Sequence, residues 1–172
     1  MELGAKVWAA REVGERNMQM DTQPYVLESD EGSAVWFLGC PTRVKATGAQ
    51  TGGAFGLIEQ ELPPRFASPY HVHHREDETF YVLEGNLTFI CGRRWTVGPG
   101  AYLFLPRNIP HGFKVEETGP AKILILVTPA GFEQFVLEMC APASASAGPP
   151  DMQKLLAVAA QYGVDILGPL PE

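Results

Sequence analysis

Residues 69–85, PYHVHHREDETFYVLEG, hold three of the four histidines of the chain and, just after them, three acidic residues. His71 and His73 are two apart, so on a strand both side chains leave the same face, roughly 6–7 Å apart at the backbone, a span two imidazoles can close around one ion. His74 then points the other way. Glu78 follows in the same run, and a turn through REDE can fold it back onto the same cavity; Glu76 and Asp77 compete for that place. The fourth histidine, His111, lies in PRNIPHGF, where Pro106 and Pro110 restrict the backbone that presents it. Singly, each histidine fits a polar turn or a hydrogen-bonded core position. Together, an HxH pair with a carboxylate close behind is not explained by packing, because buried polar groups need partners. The candidate set is three imidazoles and one carboxylate around one divalent ion. Such a set leaves the ion with about one net positive charge, enough to bind and polarise an enolate or phenolate oxygen. Nitrogen and oxygen donors without thiolate do not choose among Fe, Mn, Co, Ni, Cu and Zn.

Presenting these residues is work for strands. From about Pro24 to Thr128, alternating or β-branched and aromatic runs recur between Gly, Pro and Asn, which predicts successive short antiparallel strands. They cover 25–28, 34–38, 43–47, 55–62, 70–74, 79–84, 87–91, 94–97, 102–105, 111–116 and 122–127. So many runs in so short a stretch mean a sandwich or barrel, and Gly85 and Gly92 are placed to supply positive φ in tight turns. Beyond Pro129, Phe132, Phe135, Val136 and Met139 form the apolar stripe of a helix that caps the β domain. APASASAGPP, residues 141–150, reads as a linker. A second helix is expected with Asp151 as N-cap, Met152, Leu155, Leu156 and Ala159 as its stripe and Gly163 as its stop. The organisation expected is a β-barrel with N-terminal extension and capping helix over 1–140, and a linker and C-terminal helical tail over 141–172 packing on the same domain.

A chain of 172 residues is the size of one domain. Its net charge of −7 argues against partners with phosphate backbones or anionic membrane surfaces, which need clustered Lys and Arg. The start, MELGAKVWAAREVGERN, lacks the uninterrupted apolar core of a signal peptide, and no stretch approaches a membrane span. The three cysteines, Cys40, Cys91 and Cys140, include no close pair, which disfavours a disulfide framework and fits a reducing cytoplasm. GxSxG, GxGxxG and GxxxxGK[ST] are all absent, leaving serine hydrolase, dinucleotide and nucleotide chemistry without a foothold.

On these residues the chain resembles the cupins, whose first motif runs from an HxH through a glutamate to a glycine and whose second joins a glycine, a proline, a glycine and a histidine. His71, His73, Glu78 and Gly85 match the first motif from its histidines onward, although its leading glycine is missing. Gly100, Pro106 and His111 match the second, with Asn108 at a glycine position and Val115 at an asparagine position. Asn tolerates the left-handed conformation that glycine supplies there. The resemblance implies an all-β jelly-roll barrel, commonly a homodimer, with one divalent transition metal ion held by His71, His73, Glu78 and His111. AVWFLG, the stretch 68–85 and the C-terminal tail are similar to bacterial single-domain cupins of the quercetin 2,3-dioxygenase type. That similarity implies a metal-dependent dioxygenase, an oxidoreductase consuming dioxygen and a small hydroxylated aromatic or enolisable compound, with Glu78 also taking a proton from the substrate. The alternatives are a non-redox lyase or isomerase and a cupin that binds a small molecule without transforming it. Trp36, Phe37, Phe55, Phe80, Tyr102, Phe104 and Phe113 are aromatic candidates for pocket walls, and Phe37, Phe55, Tyr102, Phe104 and Phe113 are taken as the substrate pocket.

Overall fold

A computed structural model describes residues 22–142 and 151–172. The N-terminal stretch and most of the expected linker, residues 143–150, lie outside the described residues. In chain order the strands are β1 (Ser33–Phe37), β2 (Cys40–Ala46), β3 (Gly56–Leu62), β4 (Tyr70–His73), β5 (Asp77–Glu84), β6 (Leu87–Cys91), β7 (Arg93–Val97), β8 (Tyr102–Leu105), β9 (His111–Val115), β10 (Ala121–Thr128), β11 (Ala141–Pro142) and β12 (Val164–Gly168). A short α1 (Gly48–Thr51) joins β2 to β3, α2 (Phe132–Met139) follows β10, and α3 (Met152–Gln161) precedes β12.

The strands form two antiparallel sheets. One is ordered β11-β1-β2-β3-β10-β5-β8 and the other β12-β4-β9-β6-β7. This is the jelly-roll arrangement, an all-β fold with a few short helices. β10 lies at the centre of the larger sheet and alternates buried with half-buried residues; Ala121, Ile123, Ile125 and Val127 face inward and the intervening residues outward. The core is filled by Phe80, Phe89 and Phe113, whose ring centroids stand 5.0–5.6 Å apart, together with aliphatic residues from both sheets. Gly85 and Gly92 take φ of 78° and 68° in the β5–β6 and β6–β7 turns, as their positions predict. Asn108 takes φ 64° in the loop before His111.

Four elements differ from expectation, the first being β11, where Ala141 and Pro142 of the expected linker pair with Trp36 and Val35 of β1. Residues 25–28, read as a strand, run along the surface without strand pairing; Val26 is 81% exposed, so its β-branched character serves no core. The four-residue α1 was too short to leave a periodic pattern. The C-terminal tail holds α3 as expected, with the Asp151 carboxylate accepting from the Gln153 and Lys154 amides, but it then turns at Gly163 (φ 74°) and adds β12 to the edge of the smaller sheet. Among the described residues no helix is long and apolar enough to cross a membrane.

Candidate metal centre and its cavity

β4 carries His71 and His73 on one face, and its register sets His71 opposite His111 on β9. Glu78 comes from the other sheet, on β5, where it pairs with Val127 and Leu105 in the ladders. The four residues offer ligand atoms that all lie within 4.8 Å of one another. The ring centroids are 5.1 Å apart for His71–His73, 4.6 Å for His71–His111 and 5.6 Å for His73–His111. Three strands of two sheets thus converge on one point, and alternation turns His74 out to the surface, where it meets Asn108 and Asp165 at 3.0 and 2.9 Å.

Backbone carbonyls orient two of the rings. The Nδ1 atoms of His71 and His111 each lie 2.8 Å from a carbonyl two residues earlier, Pro69 O and Ile109 O, which leaves each Nε2 free for the centre. His111 Nε2 is 2.9 Å from Glu78 Oε2, and His73 Nε2 is 3.8 Å from the same oxygen. Burial, with His111 and His73 beside it, pushes the His71 imidazole down to about 4, so the ring is neutral at ordinary pH, the form that coordinates metal. Burial alone would raise Glu78, but the charges of His73, His111 and His71 and the His111 hydrogen bond outweigh it and hold the carboxyl at about 2. Burial would likewise lower His111, and the Glu78 hydrogen bond and charge outweigh that too, raising it. The centre is therefore a buried place that keeps a carboxylate ionised and favours positive charge.

The donor set fits a divalent transition ion. His73 is fully buried, yet neither of its ring nitrogens has a hydrogen-bond partner. An orphaned imidazole is costly in a packed interior, and a cation at the convergence point would satisfy its Nε2.

The centre opens into a largely apolar cavity with room for water centres over about 60 Å³. Of the aromatic candidates, Phe37, Phe80 and Phe113 line it. The other pocket candidates lie elsewhere. Tyr102 and Phe104 are 66% and 54% exposed, because β8 alternates in the opposite phase and turns Leu103 and Leu105 inward. Phe55 lines a separate surface groove with Leu57 and Leu124, and Trp36 a shallow one beside Pro41. Sequence reasoning missed Phe66, Phe132, Phe135, Leu155, Val164, Ile166 and the buried Gln60 in the cavity wall. For the helical residues the signal was present, since the apolar stripes of α2 and α3 had to face something. The other two acids of REDE also have settled places. Asp77 forms a two-pronged pair with Arg107 at 3.0 and 2.9 Å, which also holds the loop leading to His111. Glu76, a competitor of Glu78 on sequence grounds, stands outside the four donors but is only 3% exposed.

Residues 58–127 match the family described as Cupin domain. The quercetin 2,3-dioxygenase of Bacillus subtilis (strain 168) is 35% identical over 115 residues, which are 65% of this chain and 33% of the relative. The chain thus spans about a third of the length of that curated relative. Among solved structures, a predicted oxalate decarboxylase from Thermotoga maritima superposes with a TM-score of 0.55 at 19% identity, covering 61% of this chain and 99% of that one. KdgF from Halomonas sp. superposes with a TM-score of 0.50 at 18% identity, covering 56% and 84%. Likenesses at that identity speak for the fold alone; the matched domain gives the chain a cupin domain over residues 58–127, and the curated relative makes it resemble the quercetinase-like cupins.

Proposed function

We propose that the chain is a metal-dependent cupin dioxygenase that oxidatively cleaves a compact hydroxylated aromatic or enolisable compound. The observation that carries this reading is the convergence of His71, His73, Glu78 and His111 at the end of an apolar cavity. The curated relative, a quercetin 2,3-dioxygenase, supports the choice of chemistry. These four residues would hold one divalent transition ion, which when bound would polarise an enolate or phenolate oxygen and, if redox-active, relay electrons from the substrate, the reductant, to dioxygen, the oxidant.

The protein's own part is to orient, dehydrate and deprotonate. Phe37, Phe66 and Phe113 give flat apolar walls that admit an aromatic or enol plane and shed water from it. Glu78, ionised and facing the cavity, takes the proton of the substrate hydroxyl at a carboxylate oxygen, provided the hydroxyl comes within hydrogen-bond reach. Gln60 and Ser68 are polar points on the wall against which a second polar group of the substrate can register. A cavity of about 60 Å³ is small beside the usual ligand pocket, so a single-ring or open-chain enol fits more readily than a three-ring flavonol.

Oxygen uptake by protein loaded separately with iron, manganese, cobalt, nickel or zinc, offered quercetin, single-ring catechols and small β-dicarbonyls, tests the proposal. The expected result is uptake with a redox-active metal and a compact substrate, and a fall of at least about a hundredfold in Glu78→Gln. Turnover that proceeds without oxygen and with zinc would assign the chain to the lyases and isomerases instead; tight ligand binding with no product would make it a binding protein.

A further inference from the structure

We propose that Glu76 is the positioning residue of His73, the carboxylate that accepts from its Nδ1–H and so turns its Nε2 toward the centre. The inference rests on the metal-centre reading and concerns the one ring of the three that lacks a carbonyl partner. His71 and His111 have their Nδ1 atoms 2.8 Å from Pro69 O and Ile109 O. His73 has nothing of that kind; its Nδ1 lies 3.6 Å from Glu76 Oε2. His73 is 0% and Glu76 3% exposed, and both facing atoms, His73 Nδ1 and Glu76 Oε2, are without a hydrogen-bond partner. Two buried orphans of opposite character, one a donor in the required tautomer and one an acceptor, face each other a few tenths of an ångström beyond bonding distance. A small rotation of the Glu76 carboxylate closes the gap.

Glu76 is not a fifth ligand, for it stands outside the group of four donors and meets His73 at the nitrogen opposite the one that faces Glu78. Helix α2 shapes the space it occupies. A Cβ at Gly131, the residue that caps α2, would come 2.6 Å from Glu76 Oε1, so only glycine leaves the carboxylate its place. The next residue, Phe132, sets its ring edge-on to His73 with centroids 4.7 Å apart. Glu76, Gly131 and Phe132 together fix the rotation of His73. A carboxylate behind the ring also makes Nε2 a stronger electron donor toward a metal than a carbonyl does.

The test is cobalt(II) binding to the full chain, followed by calorimetry and by the visible ligand-field spectrum, in wild type, Glu76→Gln, Glu76→Ala and Gly131→Ala. Expected are a 10- to 100-fold weaker affinity for Glu76→Ala with a shifted spectrum, a smaller loss for Glu76→Gln, whose amide oxygen still accepts, and a loss in Gly131→Ala, which crowds the carboxylate without removing it. If Glu76→Ala does not fold, the graded pair Glu76→Gln and Gly131→Ala decides. Wild type that takes up no cobalt would overturn the metal-centre reading and this one with it. Wild type that binds, alongside variants with unchanged affinity and spectrum, would overturn the role of Glu76 alone.

Discussion

At the scale of single residues, three neighbouring acids meet three separate fates. Glu76 lies behind His73, Asp77 clasps Arg107, and Glu78 enters the centre. Their type and order say little about this, because the strand turn at residues 74–76 decides which way each points. The HxH pair was legible because a period of two carries its own geometry, whereas the burial of Glu76 depends on Gly131, far along the chain. Glycines differ in the same way. Gly85 and Gly92 both have positive φ, but a Cβ at Gly85 would stand 2.3 Å from Pro120 O and 2.7 Å from Ala121 Cα, while one at Gly92 would meet nothing within 4 Å. Gly92→Ala should therefore cost only the left-handed conformation, about 1–2 kcal/mol. Gly85→Ala adds overpacking against backbone and should cost about 2–4 kcal/mol. Urea unfolding of the two variants checks this; equal losses would mean that the β5–β6 turn yields more easily than its contacts suggest.

Among the elements, the helices tie themselves to the barrel by polar groups as well as by their apolar stripes. The Glu133 carboxylate, 1% exposed, accepts from the Gly48 amide at 2.9 Å and the Gly131 amide at 2.7 Å, joining the starts of α1 and α2. Tyr162, at the end of α3, packs its ring against Phe135 and donates its hydroxyl to Glu138 Oε2 at 2.8 Å, joining α3 to α2. That hydrogen bond and the nearby carboxylate raise the Tyr162 phenol above its usual value of 10.0. Above pH 10 the unfolded chain has shed this proton while the folded one keeps it, so the tie contributes stability below about pH 10 and loses it as pH rises further. Thermal unfolding from pH 8 to 11 should show wild type losing its advantage over Tyr162→Phe in that upper range; a constant difference across it would refute the tie. Strand existence along the barrel was legible from alternation, and so were α2 and α3 from their stripes. β12 was not, since VDILG is a five-residue run whose strand character comes from its partner. The same reasoning fails in reverse at 25–28, where a β-like run finds no partner and its Tyr25 hydroxyl instead reaches Lys45 O at 3.0 Å.

In the molecule as a whole, the candidate centre exists only because two sheets face each other, with three donors on the smaller and one on the larger. The smaller sheet is completed by the C-terminal segment. β12 pairs along β4 with Val164 opposite His73 and Ile166 opposite His71, so the strand that carries these two histidines is an inner strand by virtue of β12. Gly163 O accepts from the His74 amide at 2.8 Å, and Leu155, Val164 and Ile166 form one side of the cavity. Ending the chain after Tyr162 would strip β4 of most of its ladder pairing and admit water beside His73. Burial of Val164 alone is worth about 1.5–3 kcal/mol, and the lost ladder adds to that. The truncated protein should melt several degrees lower and bind cobalt(II) at least about tenfold more weakly, because the rings of His71 and His73 are no longer held from behind. The two readings separate the causes: a lower melting temperature with unchanged cobalt affinity would mean that β12 supports the barrel without shaping the centre. Unchanged values for both would mean that β4 holds its two histidines in place unaided, and the C-terminal wall would then have no part in the site.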